Sequence, residues 1–139
     1  MDKYLLLAMF AQVLLTFTVM VIMGRRRFAA AKNKTISMSD FATMKLEHAG
    51  DKVRVADRNF INQFEMPVFF FVACLTAMQM SAVGTLFTAV AWGFVVSRIV
   101  HTLIHIGANK VKPRYYSFLI GCLLILVLWI LIVLRVFGV

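Results

Sequence analysis

Long apolar stretches make up most of this chain, and polar side chains interrupt them at few positions. Hydrophobic residues account for 62% of the 139 residues, the mean hydropathy is +0.87 and only 15% of residues are charged. A soluble domain of this length has too little interior to bury that much apolar surface. The composition therefore predicts an all-α integral membrane protein, because a helix satisfies its own backbone hydrogen bonds in hydrocarbon.

The apolar stretches predict a membrane-spanning four-helix bundle in one domain. Each stretch is long enough to cross a bilayer, which takes about 20 residues. The first is too long for a cleavable signal peptide and lacks a small-residue cleavage motif, so we expect it to span the membrane. We expect Arg25–Arg27 to end the first helix and Pro67 to kink the second. The domain covers residues 1–139, and its helices are expected at about 4–23, 55–82, 86–106 and 116–137.

The basic residues concentrate in two predicted loops, residues 24–54 and 107–115. Nine of the fifteen Lys and Arg residues lie between Arg25 and Arg58. This clustering is the positive-inside pattern, so we expect both loops to be cytoplasmic and both termini to lie on the non-cytoplasmic side. The net charge of +9 is therefore interpreted as a membrane-topology signal, and we expect no nucleic-acid partner because no recognition module is visible.

A first polar stripe runs along the start of the second predicted helix. Arg54, Arg58, Asn62 and Glu65 follow one another at steps of four, four and three, which puts them on one helical face. Charged groups in hydrocarbon are costly, at about 2.5–3.5 kcal/mol each on insertion scales. Two explanations stay open. One is a structural ion pair that joins Glu65 to Arg58 or Arg98, and the other is a polar pocket that binds a ligand.

A second polar stripe lies near the end of the third predicted helix and contains Arg98, His101 and His105. The two histidines are four residues apart, a spacing that can chelate a metal ion. No glutamate of an HExxH motif lies between them, and no third ligand is fixed by spacing. We therefore expect no metal site.

At these two stripes the chain resembles the MAPEG family, membrane-associated proteins in eicosanoid and glutathione metabolism. The resemblance rests on RNFINQFEMP in the second predicted helix and on SRIVHTLIHIG with the following KPR. It is nearest to bacterial members, which implies a bacterial inner membrane. The family is expected to form homotrimers that bind glutathione between neighbouring subunits.

The resemblance implies a role for each polar residue. Arg58, Asn62 and Glu65 correspond to the glutathione-binding positions of the second helix, and Arg98 corresponds to the third-helix arginine. Arg114 corresponds to the arginine that stabilises the glutathione thiolate. The candidate binding set, with the stripe neighbours included, is Arg54, Arg58, Asn62, Glu65, Arg98, His101 and His105.

Three departures from the family pattern concern the ligand. Asn59 stands where the family usually has alanine, Pro67 follows the glutamate after two residues rather than three, and His105 corresponds to a tyrosine of eukaryotic members. The leading hypothesis is a glutathione-dependent transferase or peroxidase for lipophilic electrophiles. The alternative is a non-catalytic member of the same fold, which binds lipid or serves as an accessory subunit of a larger membrane complex.

Overall fold

The computed structural model describes residues 2–44, 46 and 48–138, without the side chain of Met38. Every regular element in this part of the chain is an α-helix. The elements are α1 (Asp2–Lys32), α2 (Met38–Ala42), α3 (Asp51–Ile61), α4 (Met66–Gln79), α5 (Thr85–Ile106) and α6 (Val111–Val136). Four stretches are long and apolar enough to cross a membrane: Asp2–Lys32, Asp51–Gln79, Thr85–Ile106 and Val111–Val136.

Helix α1 continues through the arginine triplet and ends at Lys32, so the expectation that Arg25–Arg27 end it is wrong. The residues after Met23 include arginine, alanine and lysine, which all favour helix. Charged side chains end the apolar part of a span, but they do not interrupt its backbone hydrogen bonds.

The second predicted helix is divided into α3 and α4 by a break at residues 62–65. Asn62 caps the carboxyl end of α3, and Glu65 precedes the first residue of α4. Pro67 lies in the first turn of α4, where a missing backbone N–H costs no intrahelical hydrogen bond. The predicted kink is thus a complete break that lies just before the proline. Arg58, Asn62 and Glu65 consequently do not share one continuous helix face.

Helix α6 begins at Val111, ahead of the predicted start at residue 116. Pro113 lies in its first turn, and the proline ring is compatible with helix there. Arg114 therefore belongs to a helix rather than to the predicted loop. Its backbone position is set by the first turn of α6.

An apolar cluster of closely packed side chains joins α1, α4, α5 and α6. Phe70 of α4 stacks on Phe94 of α5 with ring centroids 4.6 Å apart. At Gly121 of α6 a methyl group would lie 3.1 Å from Ser97 Oγ, so α5 and α6 approach closely there. Small residues at such contacts are typical of helix pairs in membranes. This packing holds the carboxyl end of α5 beside the first turns of α6, where the polar side chains collect.

Candidate functional site

A cavity of about 270 Å³ lies where α5 ends and α6 begins, beside the break between α3 and α4. It brings together polar residues from both predicted stripes and apolar residues from α6. Its lining residues are Arg58, Asn62, Glu65, His101, His105, Val111, Arg114, Tyr115 and Phe118. Two guanidinium groups and one carboxylate thus share one concave surface.

The break supplies one wall of the cavity. The Asn62 amide is oriented so that both of its polar atoms face suitable groups. In this orientation its nitrogen donates to Glu65 Oε2 at 3.1 Å and to the Arg58 carbonyl at 3.3 Å. Asn62 is buried, whereas Arg58 and Glu65 are exposed. The buried amide therefore orients the Glu65 carboxylate, while the two charged groups stay accessible to a ligand.

Helix α5 supplies the opposite wall through two buried histidines. The His101 and His105 rings lie 5.6 Å apart between centroids, and each side chain is only 3% exposed. His101 Nδ1 lies 3.1 Å from the Arg114 backbone carbonyl, which can only accept a hydrogen bond. Nδ1 therefore donates a hydrogen bond to this carbonyl. Within the described part of the chain, His101 Nε2 and His105 Nδ1 have no hydrogen-bond partner.

Arg114 extends from the first turn of α6 into the same cavity and is half-buried. Its Nη1 donates to Asn109 Oδ1 at 2.6 Å. Its backbone carbonyl accepts hydrogen bonds from His101 and, at 2.9 Å, from Ser117. Both its side chain and its backbone are therefore fixed relative to α5.

The sequence model of the MAPEG family matches residues 5–134, which is nearly the whole chain. The chain belongs to the MAPEG family. No curated protein and no solved structure matches the chain significantly. Membership agrees with the all-α architecture and the four membrane-spanning stretches, and it makes this an integral membrane protein of the MAPEG type.

Arg98 lies behind the cavity wall and does not line it. The side chain is 1% exposed, and Nη2 donates to the Asn62 backbone carbonyl at 3.3 Å. Its Nε and Nη1 atoms have no partner among the described residues. Glu65 forms no ion pair with Arg58 or Arg98 among the described residues. The salt bridges there are Arg27–Asp57 and Arg54–Asp51.

Arg54 also lies outside the cavity. It lies one turn before Arg58 on α3, is exposed, and approaches Asp51 at 3.8 Å. It lines a neighbouring surface depression with Arg58, which is the residue the two concavities share. The regular spacing predicted a single stripe, but the helix break turns Asn62 and Glu65 toward the cavity and leaves Arg54 outside it.

Among the described residues, the structure adds no third metal ligand to the histidine pair. No group of three or more His, Cys, Asp or Glu side chains within the described ranges could hold a metal ion. The two rings instead form a buried polar wall next to Arg114.

A buried polar cluster lies on the other side of the break, and its composition was not predicted from the sequence. Gln12 Nε2 donates to Gln63 Oε1 at 3.1 Å, and Gln63 Nε2 lies 3.4 Å from Thr102 Oγ1. Asn59 is fully buried beside them, and its backbone carbonyl accepts from Gln63 at 3.3 Å. Glutamines within apolar stretches were the available signal, since polar groups in membrane helices usually bond across helices.

Proposed function

We propose that this MAPEG protein is a glutathione-dependent membrane transferase or peroxidase that acts on lipophilic electrophiles. The observation that supports the proposal is the single cavity that joins Arg58, Asn62 and Glu65 to Arg114. These residues come from α3, from the break and from α6, and all four were candidate glutathione-binding or catalytic residues by sequence. The proposal concerns the ligand and the reaction, which go beyond family membership.

The charges around the cavity suit glutathione. The tripeptide carries two carboxylates, one ammonium group and a thiol. Arg58 can bind a carboxylate through two parallel hydrogen bonds, and the exposed Glu65 can accept from the ammonium group. Two guanidiniums and one carboxylate give the cavity a net positive charge that complements the ligand. Asn62 holds Glu65 in place through the 3.1 Å hydrogen bond.

Arg114 is proposed to stabilise the thiolate, which is the nucleophilic form of the sulfur. Its guanidinium lies at the amino end of α6, where the helix dipole also favours an anion. The first turn of α6 contains Lys112 and no acidic residue, and Lys110 precedes it as the N-cap residue. A thiol in this cation-rich surrounding should lose its proton more readily than it does in water.

The apolar part of the cavity suits a lipophilic second substrate. Val111, Tyr115 and Phe118 line it next to Arg114, and Val111 and Tyr115 are exposed on the surface of α6. In a bilayer this surface borders lipid, so a substrate dissolved in the membrane can reach the sulfur without crossing water. The thiolate would attack an electrophilic carbon, or a peroxide oxygen, that enters from this side.

We also propose a homotrimer whose neighbouring subunits border the cavity. The family resemblance implies this state, and a cavity of about 270 Å³ is slightly smaller than the range of about 300–1,000 Å³ that is typical of small-ligand sites. A neighbouring subunit would enlarge and enclose it. Chemical cross-linking and the mass of the detergent-solubilised protein test the oligomeric state directly.

The basic end of the bundle is proposed to face the cytoplasm of a bacterial cell, with both termini on the opposite side of the inner membrane. This end carries Arg25, Arg26, Lys110 and Lys112, in keeping with the positive-inside rule. Reporter fusions at the two termini should both report the non-cytoplasmic side. A cytoplasmic signal from either fusion would contradict the orientation.

Glutathione binding to the purified wild-type protein tests the main proposal. Isothermal titration should give binding that Arg58→Ala weakens. Arg114→Ala should bind glutathione but lose conjugation of a model electrophile, because the cation acts on the reacting sulfur. An absence of binding, or an Arg114→Ala variant with wild-type conjugation, would overturn the proposal.

The same assay separates the enzyme from the non-catalytic alternative. A purified protein that conjugates glutathione without a further subunit is an enzyme by itself. A protein that binds neither glutathione nor the electrophile favours a lipid-binding or accessory role.

A further inference from the structure

We infer that Asn109 is a positioning residue that holds the Arg114 guanidinium at the wall of the cavity. The inference rests on the proposed function, in which Arg114 stabilises the thiolate of glutathione. Arg114 Nη1 donates to Asn109 Oδ1 at 2.6 Å, which is the hydrogen bond that the guanidinium makes within the described part of the chain. Neither the family resemblance nor the two polar stripes assign a role to Asn109.

The turn between α5 and α6 fixes Asn109 independently of Arg114. Its backbone N–H donates to the Ile104 carbonyl at 2.8 Å, so the residue is attached to the carboxyl end of α5. Its φ angle is +48°, in the left-handed region that asparagine tolerates better than most residues. The amide oxygen is therefore held by α5 while the guanidinium comes from α6.

The hydrogen bond restricts a side chain that would otherwise be flexible. An arginine at the first turn of a helix samples many rotamers, and a catalytic cation works best when its position is set before the charge develops. Asn109 restrains the guanidinium, and His101 and Ser117 hold the backbone of the same residue through its carbonyl. Together these contacts give Arg114 one defined direction.

The acceptor is a neutral amide, and this matters for the chemistry. An aspartate at the same position could hold the guanidinium as firmly, but its charge would cancel much of the field that a thiolate experiences. Arg114 forms no salt bridge to an acidic side chain in the ranges that the structure describes. Asn109 thus fixes the cation and leaves its charge available. In the proposed step the S–H bond breaks, the proton passes to solvent and Arg114 stays protonated throughout.

The substitution Asn109→Gly tests the inference in the full-length protein in detergent or nanodiscs. Glycine adopts positive φ readily, so the turn is kept and only the amide is removed. Ultraviolet absorbance of the bound thiolate, followed against pH, should show a raised pKa of the glutathione thiol. We expect kcat to fall about tenfold, as for the loss of one charge-assisted hydrogen bond, while KM for glutathione changes little.

Two further variants distinguish positioning from a purely structural turn. Asn109→Asp keeps the turn and the acceptor oxygen, yet it should also reduce the thiolate fraction because its charge opposes the anion. If the glycine variant loses its thermal stability, the aspartate variant carries the test. In an Arg114→Ala background, Asn109→Gly should cause no further rise in the pKa of the bound glutathione thiol, because the two residues act as one unit.

The possible results separate this inference from the proposed function. If the wild type is active but Asn109→Gly has the same thiol pKa and the same kcat, the positioning role alone is overturned. A higher kcat in Asn109→Gly would overturn it as well. A wild-type-like thiolate fraction in Asn109→Asp would also overturn it. A wild-type protein that does not bind glutathione would overturn the proposed function, and the positioning role with it.

Discussion

The Arg98 guanidinium donates to the backbone carbonyl of Asn62 at 3.3 Å, so a buried cation on α5 lies against the carboxyl end of α3. In the break, the carbonyls of Arg58, Phe60 and Ile61 accept hydrogen bonds from the backbone N–H groups of residues 62–64. The Asn62 carbonyl accepts its hydrogen bond from Arg98 instead. A cation there satisfies the Asn62 carbonyl and lies at the negative end of the helix dipole. Because the Asn62 amide contacts Glu65, Arg98 stabilises the cavity wall from behind without lining the cavity.

Arg98→Met should therefore destabilise the ligand-free protein. The Asn62 carbonyl loses its partner, which costs about 1–3 kcal/mol when the group is buried. The apolar side chain also avoids the cost of burying a cation, so we expect the lower end of that range. Thermal unfolding in detergent measures the effect, with the exposed Arg54→Met as the matched control. Unchanged stability together with weaker glutathione binding would instead make Arg98 a ligand contact.

Glu65→Gln should weaken glutathione binding without weakening the fold. Glutamine keeps the oxygen that accepts from Asn62, and the exposed side chain contributes no buried charge to the bundle. The lost carboxylate removes the partner of the ligand ammonium group, and charge-assisted hydrogen bonds contribute about 1.5–3 kcal/mol. Calorimetry should show at least a tenfold weaker affinity, since about 1.4 kcal/mol corresponds to tenfold. A lower melting temperature with unchanged affinity would make Glu65 a structural residue.

Hydropathy was sufficient to predict the all-α membrane-spanning fold, and the structure and the family match confirm it. Residue spacing grouped Arg58, Asn62 and Glu65, and all three line one cavity because side chains four and three apart stay close even where the helix breaks. It could not reveal the break, since the same spacing suits a continuous helix. Pro67 indicated an interruption near this point, but the hydrogen bonds of Arg98 and Gln63 at the break are tertiary contacts that local patterns do not contain.

Spacing also failed to separate residues that line the cavity from residues that support it. Arg98 and His101 lie three residues apart on α5, yet His101 lines the cavity and Arg98 contacts the break behind it. Their difference arises from the packing of α5 between α3 and α6. Asn109 gave no sequence signal beyond a turn-forming residue, because its hydrogen-bond partner, Arg114, lies five residues away in the first turn of α6.

The Gln12–Gln63 hydrogen bond should show strong non-additivity. Gln12→Leu leaves the buried Gln63 amide without its 3.1 Å partner, and such a loss costs about 1–3 kcal/mol. Gln63→Leu also removes the donor to the Asn59 carbonyl, so this variant should be the less stable of the two single variants. Replacing both glutamines by leucine breaks the Gln12–Gln63 hydrogen bond only once, so the double variant should lose less stability than the sum of the two single variants. Thermal unfolding of the two single variants and the double variant measures the coupling. Thr18→Val is a suitable control because Thr18 is exposed and bonds only within α1, to Leu14. A double variant as unstable as the sum of the singles would contradict the coupling.

Asp57→Asn should destabilise the protein, whereas Asp51→Asn on the same helix should not. Asp57 pairs with Arg27 Nε at 2.7 Å and joins α1 to α3, with side-chain exposures of 7% and 25%. Asp51 lies 3.8 Å from Arg54 with its side chain 94% exposed, and pairs of that kind contribute little. Loss of the Arg27 pair should cost about 2 kcal/mol, below the value for a fully buried pair because Arg27 reaches solvent.

High salt should lower the melting temperature of the wild type only slightly, since the Arg27–Asp57 pair is shielded from ions. Equal melting temperatures for the two variants would show that the Arg27–Asp57 ion pair does not stabilise the packing of α1 against α3.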